Sequence, residues 1–483
     1  MSLKTRLWIF WLILTVSGGS VLLASVFYGG PVRKHLLIGK TTVGHHQIEL
    51  ACESCHTESF SDINSIQTGC LNCHEKELKA ANDSHPIKKF RNPRNADRLE
   101  KLNATLCVTC HREHNEEITS VMGVTLPGDF CFKCHENIGK ERPETHQNLD
   151  FAGCTAAGCH NFHDNKALYE DFLDKHQDEP AMKLKQFVAN HDWTPPSPEA
   201  GGPPRGKPLA LDAADAPEAV SATPAVLKEW HETAHAEAGV NCSGCHTDKP
   251  GKEDGNWVQK PNHTVCATCH QDQAKTFLEG KHGMRLRDDL FVSTDGLFGL
   301  FEKKGFSPMR PELARAPMSP KAHGRELTCV SCHNDHSFDT AKAQVTACTS
   351  CHTDDHTKAY EGSPHHKLWV AEQKGELPKG SGVTCATCHM PRLSVSDDYG
   401  TETVFTTHNQ NDNLRPNEKM IRPVCASCHG LQFTLDALAD PKLIARNFDG
   451  QPSERVESID WVLKREAARK AKVRAGKEAQ ATQ

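Results

Sequence analysis

Every one of the 22 cysteines in this 483-residue chain belongs to a pair, and a histidine directly follows the second member of each pair. Ten pairs enclose two residues: Cys52/Cys55/His56, Cys70/Cys73/His74, Cys107/Cys110/His111, Cys131/Cys134/His135, Cys242/Cys245/His246, Cys266/Cys269/His270, Cys329/Cys332/His333, Cys348/Cys351/His352, Cys385/Cys388/His389 and Cys425/Cys428/His429. The remaining pair encloses four, Cys154-Thr-Ala-Ala-Gly-Cys159-His160. No cysteine is left over. Zinc sites use C-x-x-C pairs but need no histidine at a fixed offset after each one. A disulfide framework explains an even count but not the histidines.

Cys-x-x-Cys-His is the attachment sequence for c-type haem. Its two thiols become thioethers on the haem vinyl groups, and the adjacent imidazole is held under the iron as proximal ligand. Two intervening residues put both sulfurs on one side of a helical turn, while four lengthen the loop without changing the chemistry. The sequence therefore predicts eleven covalently bound haem c groups, with all 22 cysteines as thioether positions and the eleven adjacent histidines as proximal ligands.

Composition agrees with that reading. Hydrophobic residues make up 37% of the chain, aromatic residues 6%, and the mean hydropathy is −0.57. Such a chain is poor in core-forming side chains, and the apolar macrocycles are expected to fill the interior. A formal charge of −6 argues against a nucleic-acid partner. The haem propionates make the loaded protein more acidic still, except where burial keeps them protonated.

Of the 30 histidines, nineteen lie outside the motifs. Eight fall between residues 36 and 192, ten beyond residue 225, and His35 flanks the N-terminal apolar segment. Candidate distal ligands are His45, His46, His85, His114, His146 and His163 for the first five motifs. For the last six they are His235, His263, His282, His336, His356, His365, His366 and His408. His176, His191, His231 and His323 complete the set, and a solvated surface role stays open for any single one. His114, His163 and His336 stand apart, because each follows a proximal histidine by three residues. At that spacing the second imidazole points away from its own haem and can reach a neighbouring iron. Most haems are thus expected to be bis-histidine, low-spin and closed to substrates. None of the eight methionines stands out as a ligand, Met390 included.

Leu7 to Tyr28 runs for 22 residues without a charge, long enough to span a bilayer as a helix. Lys4 and Arg6 ahead of it favour a cytoplasmic N-terminus, and Arg33 and Lys34 weaken the asymmetry. The rival is a cleaved signal peptide with a small-residue site near Ala24 and Ser25, although the run exceeds the usual h-region. Since c-type haem is attached outside the bacterial inner membrane, the chain is expected on its periplasmic side.

Five motifs crowd residues 52–160, none falls in 161–241, and six span 242–429. Between Thr194 and Pro224 prolines and glycines gather, as in an extended linker; an excursion over one continuous haem domain is the alternative. The expected organisation is an anchor at 1–35, a pentahaem module at 36–192, a linker at 193–225, a hexahaem module at 226–435 and a basic helical tail at 436–483. The fold class is mainly α with long loops, two haem modules packed around stacked haems, and an N-terminal transmembrane helix. The tail (Lys464, Arg465, Arg469, Lys470, Lys472, Arg474, Lys477) reads as a solvated helix or as a docking element for acidic partners or lipid headgroups.

Two resemblances accompany these motifs. Gly44-His45-His46 ahead of Cys52, the run Cys110-His111-Arg112-Glu113-His114 and the wide spacing at Cys154/Cys159 make residues 44–165 similar to class III, multihaem electron-transfer cytochromes. That implies carriage of electrons without substrate turnover. Residues 226–435 resemble the hydroxylamine oxidoreductase and pentahaem nitrite reductase superfamily. The likeness rests on Cys329 to His366, Cys385-Ala-Thr-Cys388-His389-Met390-Pro391, Thr407-His408-Asn409, the Cys425 motif with Phe433 after it, and Trp230 to His235. In that superfamily the catalytic haem has its own motif shortly before the stretch matching Cys329, whereas residues 271–328 here hold no cysteine. The lysine-ligated C-x-x-C-K variant is also missing, and the last tyrosine is Tyr399.

The resulting expectation is a membrane-anchored periplasmic electron conduit between a quinol-linked donor and a downstream cytochrome or reductase. The alternative is an oxidoreductase acting on a small nitrogen or sulfur compound at a haem without a distal ligand. In that case Lys281, Arg285, Arg287, Arg310 and Arg315 would line a cationic funnel.

Overall fold

The computed structural model describes residues 2–28, 37–57, 62–81, 83, 85–119, 123–147, 162–163, 206–218, 223–250, 252, 254–293, 303–396, 402–412, 417–421 and 423–481. The motif at Cys154, Cys159 and His160, together with His35, His176, His191 and most of the expected linker, lies outside them.

The architecture is mainly α with long loops, as the sequence implies. The helix Leu3–Tyr28 is apolar and exposed, and its segment Leu3–Leu22 is long and apolar enough to cross a membrane. Among the described residues, strands occur as two antiparallel ribbons, Phe291–Ser293 with Lys303–Gly305 and Arg392–Ser396 with Glu402–Thr406. Most helices are a single turn, and the motifs themselves supply many of them: Cys52–Cys55, Cys107–Cys110, Phe132–His135, Cys242–Cys245, Cys329–His333 and Cys385–His389. The helix Ser458–Ala481 carries the basic tail.

The described chain divides into two compact units. The first holds the described residues up to 147, with Phe162, His163 and Arg285–Ser307; the second holds 206–284 and the residues from Pro308 onward. The cysteine-free stretch of the C-terminal half therefore contributes a segment to the first unit. There Arg285 donates from Nη1 to the Gln47 carbonyl at 3.0 Å and from Nε to the Ser307 carbonyl at 2.9 Å. Its guanidinium lies 4.9 Å from the Phe306 ring centroid.

The first unit is organised by the helix Ile63–Ala80. Asp62 caps it, accepting from the Asn64 and Ser65 backbone N–H groups at 3.0 and 2.9 Å. The helix carries the Cys70 motif. It also touches the motifs on either side: the Gln67 side chain accepts from Cys107 N at 2.8 Å, and Gly69 lies against the Cys55 turn. A Cβ on Gly69 would stand 2.6 Å from the Cys55 carbonyl oxygen, so only glycine allows this approach.

In the second unit, residues 206–218 are tied to the sixth motif rather than running free of it. Gly206 N donates to Ala238 O at 2.7 Å, Leu209 N to Ala236 O at 3.0 Å, and Asp215 accepts from Ser243 N at 2.9 Å. An apolar cluster of Met420, Ile421, Val424, Leu431, Leu435 and Leu438 packs Cys388 and Cys425 at its edge. Side-chain clusters in this chain are small and sit beside the motifs.

Gly69→Ala is expected to lower the melting temperature of the haem-loaded protein, because overpacking a close contact costs about 1–3 kcal/mol. Gly476→Ala, in the terminal helix with nothing within 4 Å of a new Cβ, should instead be neutral or stabilising by up to about 1 kcal/mol. Equal effects in calorimetry would contradict the packing assigned to Gly69.

Candidate haem sites

The motif sequence folds into its turn for local reasons. In seven motifs the histidine backbone N–H donates to the carbonyl of the first cysteine at 2.7–3.0 Å, which closes one α-turn: His56, His111, His135, His246, His270, His352 and His429. Positions i, i+3 and i+4 of such a turn share a face, so both thiols and the imidazole project together. Residues flanking the cysteines start the turn. Thr328 with Ser331, and Thr384 with Thr387, form reciprocal caps around Cys329 and Cys385, while Asn262 accepts from Thr264 N at 2.8 Å ahead of Cys266. Among the described residues, no group of three or more His, Cys, Asp or Glu side chains gathers where a bare metal ion could sit.

Among the described residues, the twenty cysteines form no disulfides with one another. Four second-position sulfurs, those of Cys134, Cys269, Cys351 and Cys428, lie against polar atoms of the protein. Cys269 Sγ accepts from Thr268 Oγ1 and Cys428 Sγ from Ser427 Oγ, both at 3.8 Å, and Cys351 Sγ lies 3.7 Å from Ser350 Oγ. The cause is local, because a hydroxyl residue directly precedes each of these three cysteines. A thioether sulfur keeps its lone pairs and can still accept from a hydroxyl. Cys134 Sγ lies 3.9 Å from the Arg98 carbonyl. The first-position sulfurs of Cys52 and Cys348 lie in the same way, 3.8 Å from Leu50 O and 3.9 Å from Ala343 O. Cys73 and Cys131 complete the motifs at Cys70 and Cys134.

Nine motif histidines each face one non-motif histidine. Ring centroids are 5.9 Å apart for His74 and His45, 6.3 Å for His111 and His163, and 6.2 Å for His135 and His85. In the second unit the separations are 6.0 Å for His246 and His336, 6.0 Å for His270 and His235, and 6.1 Å for His333 and His408. His352 and His282 are 6.1 Å apart, His389 and His356 6.1 Å, and His429 and His365 6.2 Å. Two metal–nitrogen bonds of about 2 Å, plus the half-ring beyond each nitrogen, put trans imidazoles about 6 Å apart. The residues present therefore fit a six-coordinate iron. All six motifs between residues 242 and 429 have such a second ring.

Several rings are held in the tautomer a metal needs. Nδ1 donates to a backbone carbonyl in His111 (Gly123, 3.0 Å), His246 (Val258, 2.9 Å) and His408 (Thr406, 2.9 Å), and likewise in His85 (Phe162) and His356 (Ile444). That leaves Nε2 for ligation. Burial, reinforced by neighbouring imidazoles, pushes His282, His365 and His389 down to about 4 and keeps them neutral.

The His45/His74 pair differs. His45 Nδ1 donates to Glu113 Oε1 at 2.7 Å, and His74 Nδ1 to Glu77 Oε2 at 2.9 Å. Burial raises the Glu113 pKa, but the His45 hydrogen bond and those from Thr42 outweigh it and hold the carboxyl at about 2.

Thiols of successive motifs also approach one another. Cys70 lies beside Cys107, Cys266 beside Cys329, and Cys348 beside Cys385. Burial pushes Cys55, Cys245, Cys332 and Cys388 up to about 11, with thiols of the following motif adding to the shift. For Cys245 the added push comes from Cys266 and Cys269, for Cys332 from Cys348 and Cys351, and for Cys388 from Cys428. Three of the second-position thiols that contact hydroxyls therefore also face the motif before their own.

Aromatic rings lie against the imidazoles: Phe162 is 4.3 Å from His85 and 5.1 Å from His163, and Phe448 is 6.2 Å from His356 and 6.3 Å from His365. Trp257 stacks on His246 at 4.6 Å, its buried Nε1 without a partner, as suits a donor to a propionate. The non-glycine residues with positive φ (His114, Asn334, His336, Phe338, Asn447 and Phe448) all lie in the segments presenting these rings, where backbone strain is held in place by function.

Five of the fourteen candidate distal histidines are not among the nine pairs. His46 donates from Nδ1 to Val43 O at 3.0 Å and His114 to Gly39 O at 2.9 Å. His146 ends the helix Pro143–His146, and His263 begins the helix His263–Ala267. His366 Nδ1 accepts from Gly362 N at 3.1 Å, which places its proton on Nε2. Of the five cations proposed to line a funnel, two are in ion pairs and a third donates to carbonyls. Arg287 pairs with Asp289 at 2.5 Å, Arg310 with Glu326 at 2.5 Å, and Arg285 is spent on carbonyls. Glu113, Phe162, Trp257 and Phe448 were not singled out by sequence reasoning. Glu113 lies between His111 and His114 and Phe162 between His160 and His163, but neither position in sequence signals its role.

Motif turns bearing paired thiols, each imidazole set against a second, define a multihaem c-type cytochrome, a protein that holds haem c covalently and transfers electrons. Known proteins similar to this chain include other cytochromes. The cytochrome c3 family matches residues 44–136. "Cytochrome c-552" of Haemophilus influenzae is 25% identical over 191 residues, covering 35% of this chain and 33% of its own. "Multiheme cytochrome MtrA" of Shewanella baltica is 22% identical over 209 residues, 40% of this chain and 43% of its own. "Cytochrome c-type protein NrfB" of Haemophilus influenzae is 25% identical over 144 residues, 28% of this chain and 59% of its own. The matches thus span about a third to three-fifths of these relatives' lengths. No solved structure matches the chain.

Thr384→Val removes a buried cap while leaving Cys385, Cys388 and His389 in place. It is expected to cost about 1 kcal/mol in denaturant unfolding with the visible spectrum unchanged; an unchanged midpoint would contradict the capping role.

Proposed function

We propose that this protein is a membrane-anchored, periplasmic undecahaem conduit that relays electrons between a quinol-linked donor at the inner membrane and a downstream cytochrome or reductase. The observation that carries the reading is the set of nine imidazole pairs. A conduit needs irons that change charge without changing ligands, and a histidine on each side provides that. Substrate conversion needs an open iron position, and every motif between residues 242 and 429 has a second imidazole at 6.0–6.2 Å.

The thiol contacts support an order for the relay. In the second unit they link the motifs beginning at Cys242, Cys266, Cys329, Cys348, Cys385 and Cys425 one to the next. In the first, contacts run from the Cys52 motif to Cys70 and on to Cys107, and Phe162 joins the rings of the third and fourth motifs. Electrons entering either unit would pass along the chain in sequence order. The apolar helix Leu3–Leu22 supports retention at the membrane, with the haem units on the side where haem c is attached. The names of the relatives, a multihaem cytochrome and two c-type cytochromes, agree with redox protein partners.

Intact-mass spectrometry of the protein purified from membranes tests both parts. The expected species carries eleven covalent haems on a polypeptide that still begins at its first residues. Fewer haems would refute the count, and a mature N-terminus near residues 25–30 would refute the anchor. His365→Ala should convert one low-spin haem to a form that binds carbon monoxide or cyanide, with the others unchanged. An unaltered spectrum would refute the pairing of His365 with His429.

A further inference from the structure

We infer that Glu113, assisted by Glu77, makes the haem attached at Cys70 and Cys73 the low-potential site of the first unit. The inference deepens the ligand reading above and rests on it. Of the nine imidazole pairs, His45/His74 is the one in which each ring has a carboxylate on Nδ1, at 2.7 Å from His45 and 2.9 Å from His74. In the neighbouring pair, His163 reaches Asp83 at a longer 3.3 Å while His111 donates to a backbone carbonyl. Each other pair whose Nδ1 bonds are defined gives them to backbone carbonyls: His85, His246, His356 and His408.

The acceptor matters because a carboxylate draws the Nδ1 proton more strongly than a neutral carbonyl does. The ring then gains imidazolate character and becomes a stronger donor through Nε2. A stronger donor favours ferric over ferrous iron and lowers the potential, the hydrogen-bonding lever by which proteins tune such centres.

Glu113 is built for that task. Its Oε2 accepts from Thr42 N at 2.6 Å, and its Oε1 accepts from Thr42 Oγ1 at 2.9 Å as well as from His45. Thr42 is buried and the Glu113 side chain is 29% exposed, so the carboxylate is fixed and partly shielded. Glu77 is 71% exposed and water screens it, so its share is the smaller. Glu113 also lies within the third motif's His-Arg-Glu-His run, so a segment following one attachment site adjusts the ligand of another.

Redox titration of the full-length, haem-loaded protein, followed by visible and low-temperature EPR spectra, tests this. Glu113→Gln keeps the shape and a neutral acceptor. The lowest wave of the first-unit haems is expected to rise by about 59 mV for a one-electron couple, a tenfold fall in the oxidised-to-reduced ratio at fixed potential. The matching low-spin EPR signal should shift with it. Glu113→Asp should restore part of the effect, and Glu77→Gln should give a smaller rise. Glu116→Gln, which removes a nearby surface charge paired with Lys40, should leave the wave in place. His45→Met identifies the wave by replacing one ligand of that haem. If His45→Met alters no low-spin signal, the ligand reading itself fails. If it moves a wave that Glu113→Gln leaves unmoved, the carboxylate inference is overturned and the ligand reading stands.

Discussion

A five-residue turn can grip one face of an iron and nothing more, so every other feature of this protein follows from the need for a second imidazole. That ring must come from elsewhere in the chain and stop about 6 Å from the first. The separations in sequence are large: His336 meets His246, His408 meets His333, and His282 meets His352. Each pairing closes a loop, and the entropy of closing it is recovered only when the metal joins the two ends. Folding and haem loading are therefore one problem here. This accounts for a chain with short helices, small apolar clusters and strained residues clustered beside imidazoles.

How much was legible in sequence divides along the same line. The turns were, because thiols at i and i+3 with an imidazole at i+4 are fixed by one α-turn, and at Cys242, Cys329 and Cys385 the Asn or Thr before the first cysteine caps it. The chemistry and the mainly helical class followed. The surroundings of each sulfur were only partly legible: the hydroxyls beside Cys269, Cys351 and Cys428 are their sequence neighbours, but the Arg98 carbonyl that meets Cys134 comes from another helix. The pairings were not legible, since no local rule says which distant histidine arrives. One regularity emerges only in three dimensions: His163 and His336, each three residues after a motif histidine, serve the imidazole two motifs earlier, at His111 and His246. Glu113 was illegible for a different reason. Between two histidines a glutamate reads as a solvated charge until Thr42, more than seventy residues earlier, is found holding it.

The cysteine-free stretch shows how a charge pattern misleads. Five cationic side chains between residues 281 and 315 read as a funnel for an anion. Three of them are already committed, to Asp289, to Glu326 and to the Gln47 and Ser307 carbonyls. The segment Arg285–Ser307 is built into the first unit, where Arg285 serves as a tie to the turn bearing His45 and His46. The cysteine-free stretch thus gives the first unit a structural strap.

The central claim is that these irons are ligated on both sides and exchange only electrons. Low-temperature EPR of the fully oxidised, haem-loaded protein tests it most directly, recorded with and without nitrite, hydroxylamine or sulfite. The account predicts low-spin bis-histidine signals throughout and spectra that none of the three alters. A high-spin signal that shifts when one of them is added would contradict it.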